Sequence, residues 1–108
     1  MEELYNLEIS ESTIKNMLEI NPELKEITTI EIKEKEIILE KINCSKSQIK
    51  NIISSNSLFL TRTNEDIIKL IKCLSNYGFN NLNILFDSNP YILNLEPYEI
   101  DNYINIRK

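Results

Sequence analysis

Apolar residues recur along this chain at helical spacing in three places. Triplets at positions i, i+3 and i+4 put three side chains on one face of a helix, where they can be buried together. Three such triplets occur, and each predicts a helix with one buried face: Ile14, Met17 and Leu18; Ile49, Ile52 and Ile53; Leu82, Leu85 and Phe86.

A small polar residue precedes each of these helices. The side chains of Ser10, Ser45 and Asn80 are of the kind that accepts hydrogen bonds from the free N–H groups of a first helical turn. Ser45 together with Gln48 also fits a capping box. We therefore expect the chain to enter a helix directly after each of the three polar residues.

An asparagine is expected to end each of the three helices. Asn21 and Asn89 are followed by Pro22 and Pro90, and proline neither donates the next backbone hydrogen bond nor favours helical geometry in the residue before it. Asn56 occupies the equivalent place in the middle copy. The short apolar stretch after each asparagine is expected to form a 3₁₀ turn that fills the gap between helices.

A second helix is expected after each short turn. The three starts are predicted near Thr28 or Thr29, near Thr63 or Asn64, and at Pro97, which suits the first helical position. Gly78 follows the second of these helices and suits the positive φ that closes a helix, and Asn43 stands at the equivalent place after the first.

Residues 27–42 admit two interpretations. Ile30 and Ile32 alternate with polar residues, and the polar stretch KEKE precedes Ile37, which is also typical of two strands in a hairpin. The register shared with the other copies favours a helix, as does the absence of a glycine or Asn-Gly turn. A helix is the expectation, and the hairpin remains the alternative.

The recurrence predicts an all-α fold. We expect one domain over residues 1–108, made of three helix–turn–helix units at about 9–43, 44–78 and 79–108 and stacked as a short α-solenoid-like helical repeat. The length supports one core, and one glycine with three prolines leaves few tight turns for a sheet. Twenty isoleucines, fifteen asparagines and no alanine or valine indicate a low-GC genome.

The order of helix, Asn-Pro stop, apolar turn and second helix ending in YGF resembles the mitochondrial transcription termination factor (mTERF-type) repeats. The stretches that carry the resemblance are "SKSQIKNIISSNSLFL", "IKLIKCLSNYGF" and "SNPYILNL". It covers about residues 9–108 and is best in 44–95. The resemblance implies triple-helical units stacked into a curved solenoid, and nucleic-acid binding along a basic concave surface.

The charge of the chain bears on nucleic-acid binding. The net charge is −5, which opposes attraction to a phosphate backbone, and eleven acids against five lysines lie in residues 1–43. No acid lies between Glu40 and Glu65, whereas Lys46, Lys50 and Arg62 do. These three residues are the predicted contacts of the alternative function, a nucleic-acid-binding protein with a basic patch on the middle unit.

No residues are predicted to be catalytic, to bind a cofactor or to ligate a metal. Cys44 and Cys73 match no zinc spacing and align with apolar positions of the other copies, where cysteine behaves as a small buried hydrophobe. The chain has no histidine to activate a thiol. The acids of residues 31–40 alternate with lysines and are interpreted as a solvated face.

Exposed ends of the predicted stack point to a function. Only the middle unit has neighbours on both sides, so the end units leave apolar surface that calls for a cap or a partner. The first hypothesis is therefore a non-enzymatic interaction module, binding another protein or a second copy. Tyr91 and Tyr103 are expected to pack beside the core, with base stacking or the seam of a protein interface as the alternatives. No apolar run reaches the ~18 residues of a membrane-spanning helix, and the acidic N-terminus favours a cytoplasmic location.

Overall fold

A computed structural model describes residues 2–107, and every regular element within that range is helical. The α-helices are α1 (Glu2–Asn6), α2 (Glu11–Ile20), α3 (Thr29–Lys41), α4 (Lys46–Ser55), α5 (Asn64–Asn76), α6 (Leu82–Ser88) and α7 (Pro97–Arg107). Turn 1 (Pro22–Glu26), turn 2 (Ser57–Thr61) and turn 3 (Pro90–Asn94) are 3₁₀ helices. The predicted all-α class is confirmed. Met1 and Lys108, the limits of the predicted domain, lie outside the described residues.

Side-chain caps fix the starts of four helices. The hydroxyl of Ser10 accepts from the N–H of the third helical residue of α2, and Thr28, Ser45 and Thr63 do the same for α3, α4 and α5. Ser45 and Gln48 form the expected capping box. Each cap replaces a hydrogen bond that the first turn of a helix lacks.

The prediction that Asn80 caps the third helix is wrong. α6 begins after Asn81, whose backbone has φ −102° and ψ 65° and whose side chain caps nothing. A capping side chain needs an extended backbone at that position, as at Ser45 with φ −77° and ψ 168°. α7 begins at Pro97 as expected, and Glu99 Oε1 accepts the N–H of Glu96 at 3.1 Å.

Left-handed residues close three helices at a spacing of 35 positions. Glu8, Asn43 and Gly78 have φ of 64°, 71° and 94°. The N–H of the residue after each one returns to a leucine carbonyl: Ile9 to Leu4 at 3.2 Å, Cys44 to Leu39 at 3.0 Å and Phe79 to Leu74 at 3.1 Å. A bond of this kind after a left-handed residue is characteristic of the Schellman motif, a common way for a helix to end. Asn43 and Gly78 were predicted, and Glu8 and the helix that it closes, α1, were not.

The α-helices form two layers. α1, α3, α5 and α7 contact one another in that order, and so do α2, α4 and α6. Turns 1, 2 and 3 make a third row of successive contacts. The core fills the space between these rows, and its largest fully buried side chains include Phe59 and Phe86.

The ambiguous stretch forms α3, so the hairpin alternative is wrong. Its buried side chains are Ile32, Lys35 and Leu39, whereas Ile30 and Ile37 are exposed. Lys35 is accommodated because its Nζ donates to Asn64 Oδ1 of α5 at 2.7 Å. Burial lowers the pKa of Lys35. A buried lysine and two exposed isoleucines blur the helical pattern, and this explains why the sequence left two interpretations open.

Candidate interaction surface

Two buried asparagines join each α–turn–α segment to the one that follows it. Asn21, at the end of α2, is 3% exposed, and its Nδ2 donates to Ser57 O at 3.0 Å and to Thr61 Oγ1 at 2.9 Å. Asn56, at the end of α4, is 1% exposed. Both side chains therefore reach forward to the 3₁₀ turn of the following segment.

The acceptors of Asn56 repeat this arrangement in turn 3. Asn56 Nδ2 donates to Pro90 O at 2.9 Å and to Asn94 Oδ1 at 3.0 Å. The acceptors are the first and fifth residues of the turn, as Ser57 and Thr61 are in turn 2. Because they are buried, these bonds fix the distance and orientation of successive segments.

Asn89 ends α6 with the same backbone but has no segment to meet. Its φ and ψ are −138° and 74°, against −132° and 84° at Asn21 and −136° and 78° at Asn56. Its side chain is exposed, and that side chain makes no hydrogen bond with another described residue. The amide that elsewhere joins two segments thus faces solvent.

Asn89 lines an apolar groove. Its volume is about 570 Å³, and its lining includes Leu85, Ile92, Leu95 and Ile104. Ile84, which is 56% exposed, stands at the α6 position equivalent to Asn51 in α4. Asn51 Nδ2 donates to Asp87 Oδ1 of α6, the next helix in its layer, at 2.8 Å. We call the surface of α6, turn 3 and α7 that faces away from α4 and α5 the C-terminal end face.

The opposite end of the molecule is charged. The side of α2 that faces away from α4 carries Glu11, Lys15 and Glu19, all exposed. α1 packs on α3 at this end. The polar side chains remain hydrated there, while the C-terminal end face leaves apolar side chains in water.

Arg62, one of the three predicted nucleic-acid contacts, bonds within the fold. Its guanidinium donates to Leu93 O at 2.6 Å, to Leu95 O at 3.0 Å and to Glu96 Oε1 at 2.5 Å. The side chain is only 13% exposed. Arg62 therefore joins turn 2 to the end of turn 3, whereas it was expected to form a basic surface patch with Lys46 and Lys50.

Lys46 and Lys50 lie together, away from Arg62, in a surface cavity of about 560 Å³ whose acidic residues are Glu3, Glu8, Glu36 and Glu40. Arg62 lines a different cavity, near turn 1. The structure thus brings two of the three predicted residues together and places acidic side chains in the same cavity. A negative neighbourhood weakens the attraction of a lysine pair for phosphate.

Glu3 of α1 and Glu36 of α3 form a carboxyl pair. Burial and the hydrogen bond to Glu3 raise the pKa of Glu36 to about 8, and the same hydrogen bond lowers the pKa of Glu3. Glu36 Oε2 is buried, and no described residue outside the pair bonds to it. Glu36 therefore pairs with Glu3 where α1 packs on α3, and the interpretation of this acid as part of a solvated face is wrong.

The cysteines lie where the apolar alignment put them. Cys44 is buried, and burial with nearby Asp87 raises its thiol pKa to about 11. Cys73 is half-buried, and burial followed by Asp101 raises its pKa as well. A raised pKa keeps a thiol protonated and a poor nucleophile. No group of acids and cysteines within residues 2–107 is arranged to hold a metal ion.

The tyrosines of the last third lie on the surface. Tyr91 and Tyr103, expected to pack beside the core, are 59% and 58% exposed. Tyr77 donates to Asp101 Oδ1 at 2.6 Å. The aromatic surface therefore adds to the exposed apolar area of turn 3 and α7.

None of the described helices has the length and apolar character that crossing a membrane requires. No protein-family model matches the chain, and neither a curated protein nor a solved structure matches it.

Proposed function

We propose that this chain is a non-enzymatic interaction module, a short α-helical repeat array that binds a protein partner through its C-terminal end face. The array interpretation takes each α–turn–α segment as one unit and α1 as the remaining half of a preceding unit. Recurring asparagine bonds and the 35-residue spacing of the helix closures support it. The solenoid architecture that the mTERF resemblance implies is part of the same proposal.

The observation that carries the proposal is the state of Asn89. Asn21 and Asn56 hold the same backbone geometry and are buried against a following turn, whereas the Asn89 amide faces solvent. In a stacked array each unit satisfies the exposed side of its neighbour, and the last unit needs a cap or a partner. Asn89 marks the place where that partner would bond.

The apolar groove supplies the driving force. Burying apolar side chains removes them from water, at roughly 25 cal/mol per Å². Ile84 and Leu95 occupy the positions that are equivalent to Asn51 and Arg62 of the preceding segment. Asn51 and Arg62 make polar bonds to the segment that follows them. A surface that combines apolar residues with one oriented amide fits a protein interface, where the centre is apolar and a few hydrogen bonds set the orientation.

The nucleic-acid alternative has less support. Of its three residues, Arg62 is engaged by turn 3 and Glu96, and the two lysines share their cavity with four glutamates. Salt-sensitive retention of the wild type on heparin at low salt, lost in a Lys46→Glu, Lys50→Glu variant, is the result that would restore it.

A capture experiment with matched variants tests the proposed function. The wild type, an Ile84→Glu, Asn89→Ala variant and a Lys15→Glu variant are compared as baits in cytosolic extract, with and without nuclease. We expect partners captured by the wild type and by Lys15→Glu to be lost with the end-face variant, whether or not nuclease is added. Equal capture by all three baits, or capture that nuclease abolishes, would contradict the proposal.

A further inference from the structure

The short helix α1 is attached to α3 through a pair of carboxyl groups that the proposed function does not use. We propose that α1 is a proton-controlled strap, which lies closed on α3 while Glu3 and Glu36 share one proton and separates from α3 when that proton leaves. The strap and the C-terminal end face lie at opposite ends of the molecule, so this inference does not depend on the proposed function.

Glu3 and Glu36 meet where little water reaches them. Glu3 is 6% exposed, and Glu36 Oε2 is buried. The two side chains share a hydrogen bond, and Asn6 Nδ2 donates to Glu3 Oε1 at 3.4 Å. Within residues 2–107 neither carboxyl forms an ion pair with a lysine or an arginine. Two ionised carboxylates in such a site repel each other, so one of them stays protonated.

The charged side chains near the pair do not replace this proton. They come from three places: Lys33 and Glu40 of α3, Glu8 after α1, and Lys46 and Lys50 of α4. Burial and the hydrogen bond to Glu3 raise the pKa of Glu36 to about 8. Glu40 adds to this rise and Lys33 opposes it, but the opposition of Lys33 is the smallest of these effects.

The attachment of α1 is weak enough to open without unfolding the rest of the chain. α1 has five residues, and a helix of that length is not stable without contacts to other elements. Its buried side chains are Glu3 and Leu4, so the carboxyl pair makes up much of what holds it. Terminal segments with few buried side chains open at a lower free energy than the whole fold. Repulsion between two carboxylates therefore acts first on the strap.

The direction of the response to pH follows from proton binding. In the open strap Glu36 faces water and takes the ordinary carboxyl pKa of 4.5, whereas in the closed strap its pKa is about 8. The closed form binds more protons between these values, so its advantage is fully present below pH 4.5 and is lost as the pH rises towards about 8. The lowered pKa of Glu3 acts in the opposite direction, at acidic pH.

Hydrogen exchange of single amides measures the opening of the strap. The N–H of Leu7 bonds to Glu3 O at 3.0 Å and that of Ile9 to Leu4 O at 3.2 Å, and opening releases both. After correction for the intrinsic exchange rate at each pH, we expect their protection to fall by about tenfold or more between roughly pH 6 and 9. The N–H of Phe79 makes the equivalent bond at the end of α5 and should keep its protection.

Matched variants separate the shared proton from other effects of pH. Glu36→Gln keeps a donor for Glu3 without titrating, so the protection of Ile9 should not change over this pH range. Glu23→Gln removes an exposed carboxylate from turn 1 and should behave as the wild type. The carboxyl ¹³C shift of Glu36 should titrate near pH 8 in the wild type and move towards its ordinary value in Glu3→Gln.

Three results would overturn the strap. They are a protection of Ile9 in the wild type that does not change with pH, an equal fall in Glu36→Gln, and an equal fall at Phe79, which would mean that the whole fold opens. Titration of Glu36 at its ordinary value would remove the shared proton itself. None of these results bears on the capture of a partner by the C-terminal end face, which is tested separately.

Discussion

Asn56 and Asn94 form a reciprocal amide pair across 38 positions of the chain, each Nδ2 donating to the other Oδ1 at 3.0 Å. Asn56 also donates to Pro90 O, so one side chain joins α4 to both ends of turn 3. Asn89 repeats the backbone geometry of Asn56 on the surface. The same residue type at the same kind of helix end thus occurs once buried and bonded within the fold and once exposed to solvent.

Asn56→Ala should be strongly destabilising. It leaves the Pro90 carbonyl and the Asn94 amide unbonded at a buried junction, and we expect a loss of about 2–4 kcal/mol in the free energy of unfolding. Asn89→Ala is the matched control and should change this free energy by about 0.5 kcal/mol or less. Urea unfolding followed by circular dichroism measures both, at protein concentrations low enough to keep every variant monomeric. Equal losses would refute the different roles assigned to the two asparagines.

The Glu3–Glu36 pair predicts a dependence of stability on pH. Since the folded pKa of Glu36 is about 8 and the ordinary carboxyl value is 4.5, the folded chain binds more protons between these pH values. The contribution of Glu36 to the free energy of unfolding is therefore fully present below pH 4.5 and decreases as the pH rises towards about 8. The lowered pKa of Glu3 acts in the opposite direction, and its contribution is lost as the pH falls through the folded value.

Glu36→Gln tests this dependence. The amide donates to Glu3 without titrating, so the variant should be more stable than the wild type at pH 8, on the order of 1 kcal/mol once solvent screening is allowed for. The advantage should vanish near pH 4.5. Glu23→Gln removes an exposed charge from turn 1 and serves as the control. Thermal unfolding at a series of pH values gives the comparison, and parallel profiles for the wild type and Glu36→Gln would contradict the shared proton.

Arg62→Lys should destabilise the fold although it keeps the charge. The guanidinium bonds two carbonyls and Glu96 at once, and a lysine ammonium cannot reproduce that planar fork. We expect the free energy of unfolding to fall by about 1–2 kcal/mol. The control Lys50→Arg, at an exposed position of α4, should change it by roughly 0.5 kcal/mol or less. Chemical denaturation resolves this difference. If Arg62→Lys left the free energy of unfolding unchanged, the bonds of Arg62 within the fold would not matter for stability. The side chain would then be available to contact nucleic acid, as the alternative requires.

Local signals in the sequence predicted much of the fold. Ser10, Ser45 and Thr28 act through bonds within a few residues, and Asn43 and Gly78 act through their own φ. Such effects depend on residue type and immediate neighbours, so a short stretch of sequence is enough to predict them. The i, i+3, i+4 triplets also lie in the core, with Leu18 and Leu85 packed at its edge.

The rest depends on partners that are distant in sequence. Asn56 was recognised as a helix end, but its role in joining segments depends on Pro90 and Asn94, which no local pattern reveals. Arg62 was assigned to a basic surface because its carbonyl partners are more than 30 positions away. α1 is five residues long, too short for a periodic pattern, and it is held by a carboxyl pair.

Glu8 and Gly78 make a matched test of helix closure. Both have positive φ, a conformation that strains any residue with a Cβ, whereas glycine adopts it freely. Glu8→Gly should stabilise the fold by about 0.5–1 kcal/mol, since relief of strain outweighs the added flexibility of the unfolded chain.

Gly78→Ala should destabilise the fold by about 1–2 kcal/mol. An added Cβ at Gly78 meets no atom within 4 Å, so that loss reports backbone strain alone. The free energies of unfolding of both variants, with Asn43→Gly as an intermediate case, should follow the order set by strain. If Glu8→Gly were destabilising, the left-handed closure of α1 would have to be abandoned, and with it the interpretation of α1 as the remaining half of a preceding unit.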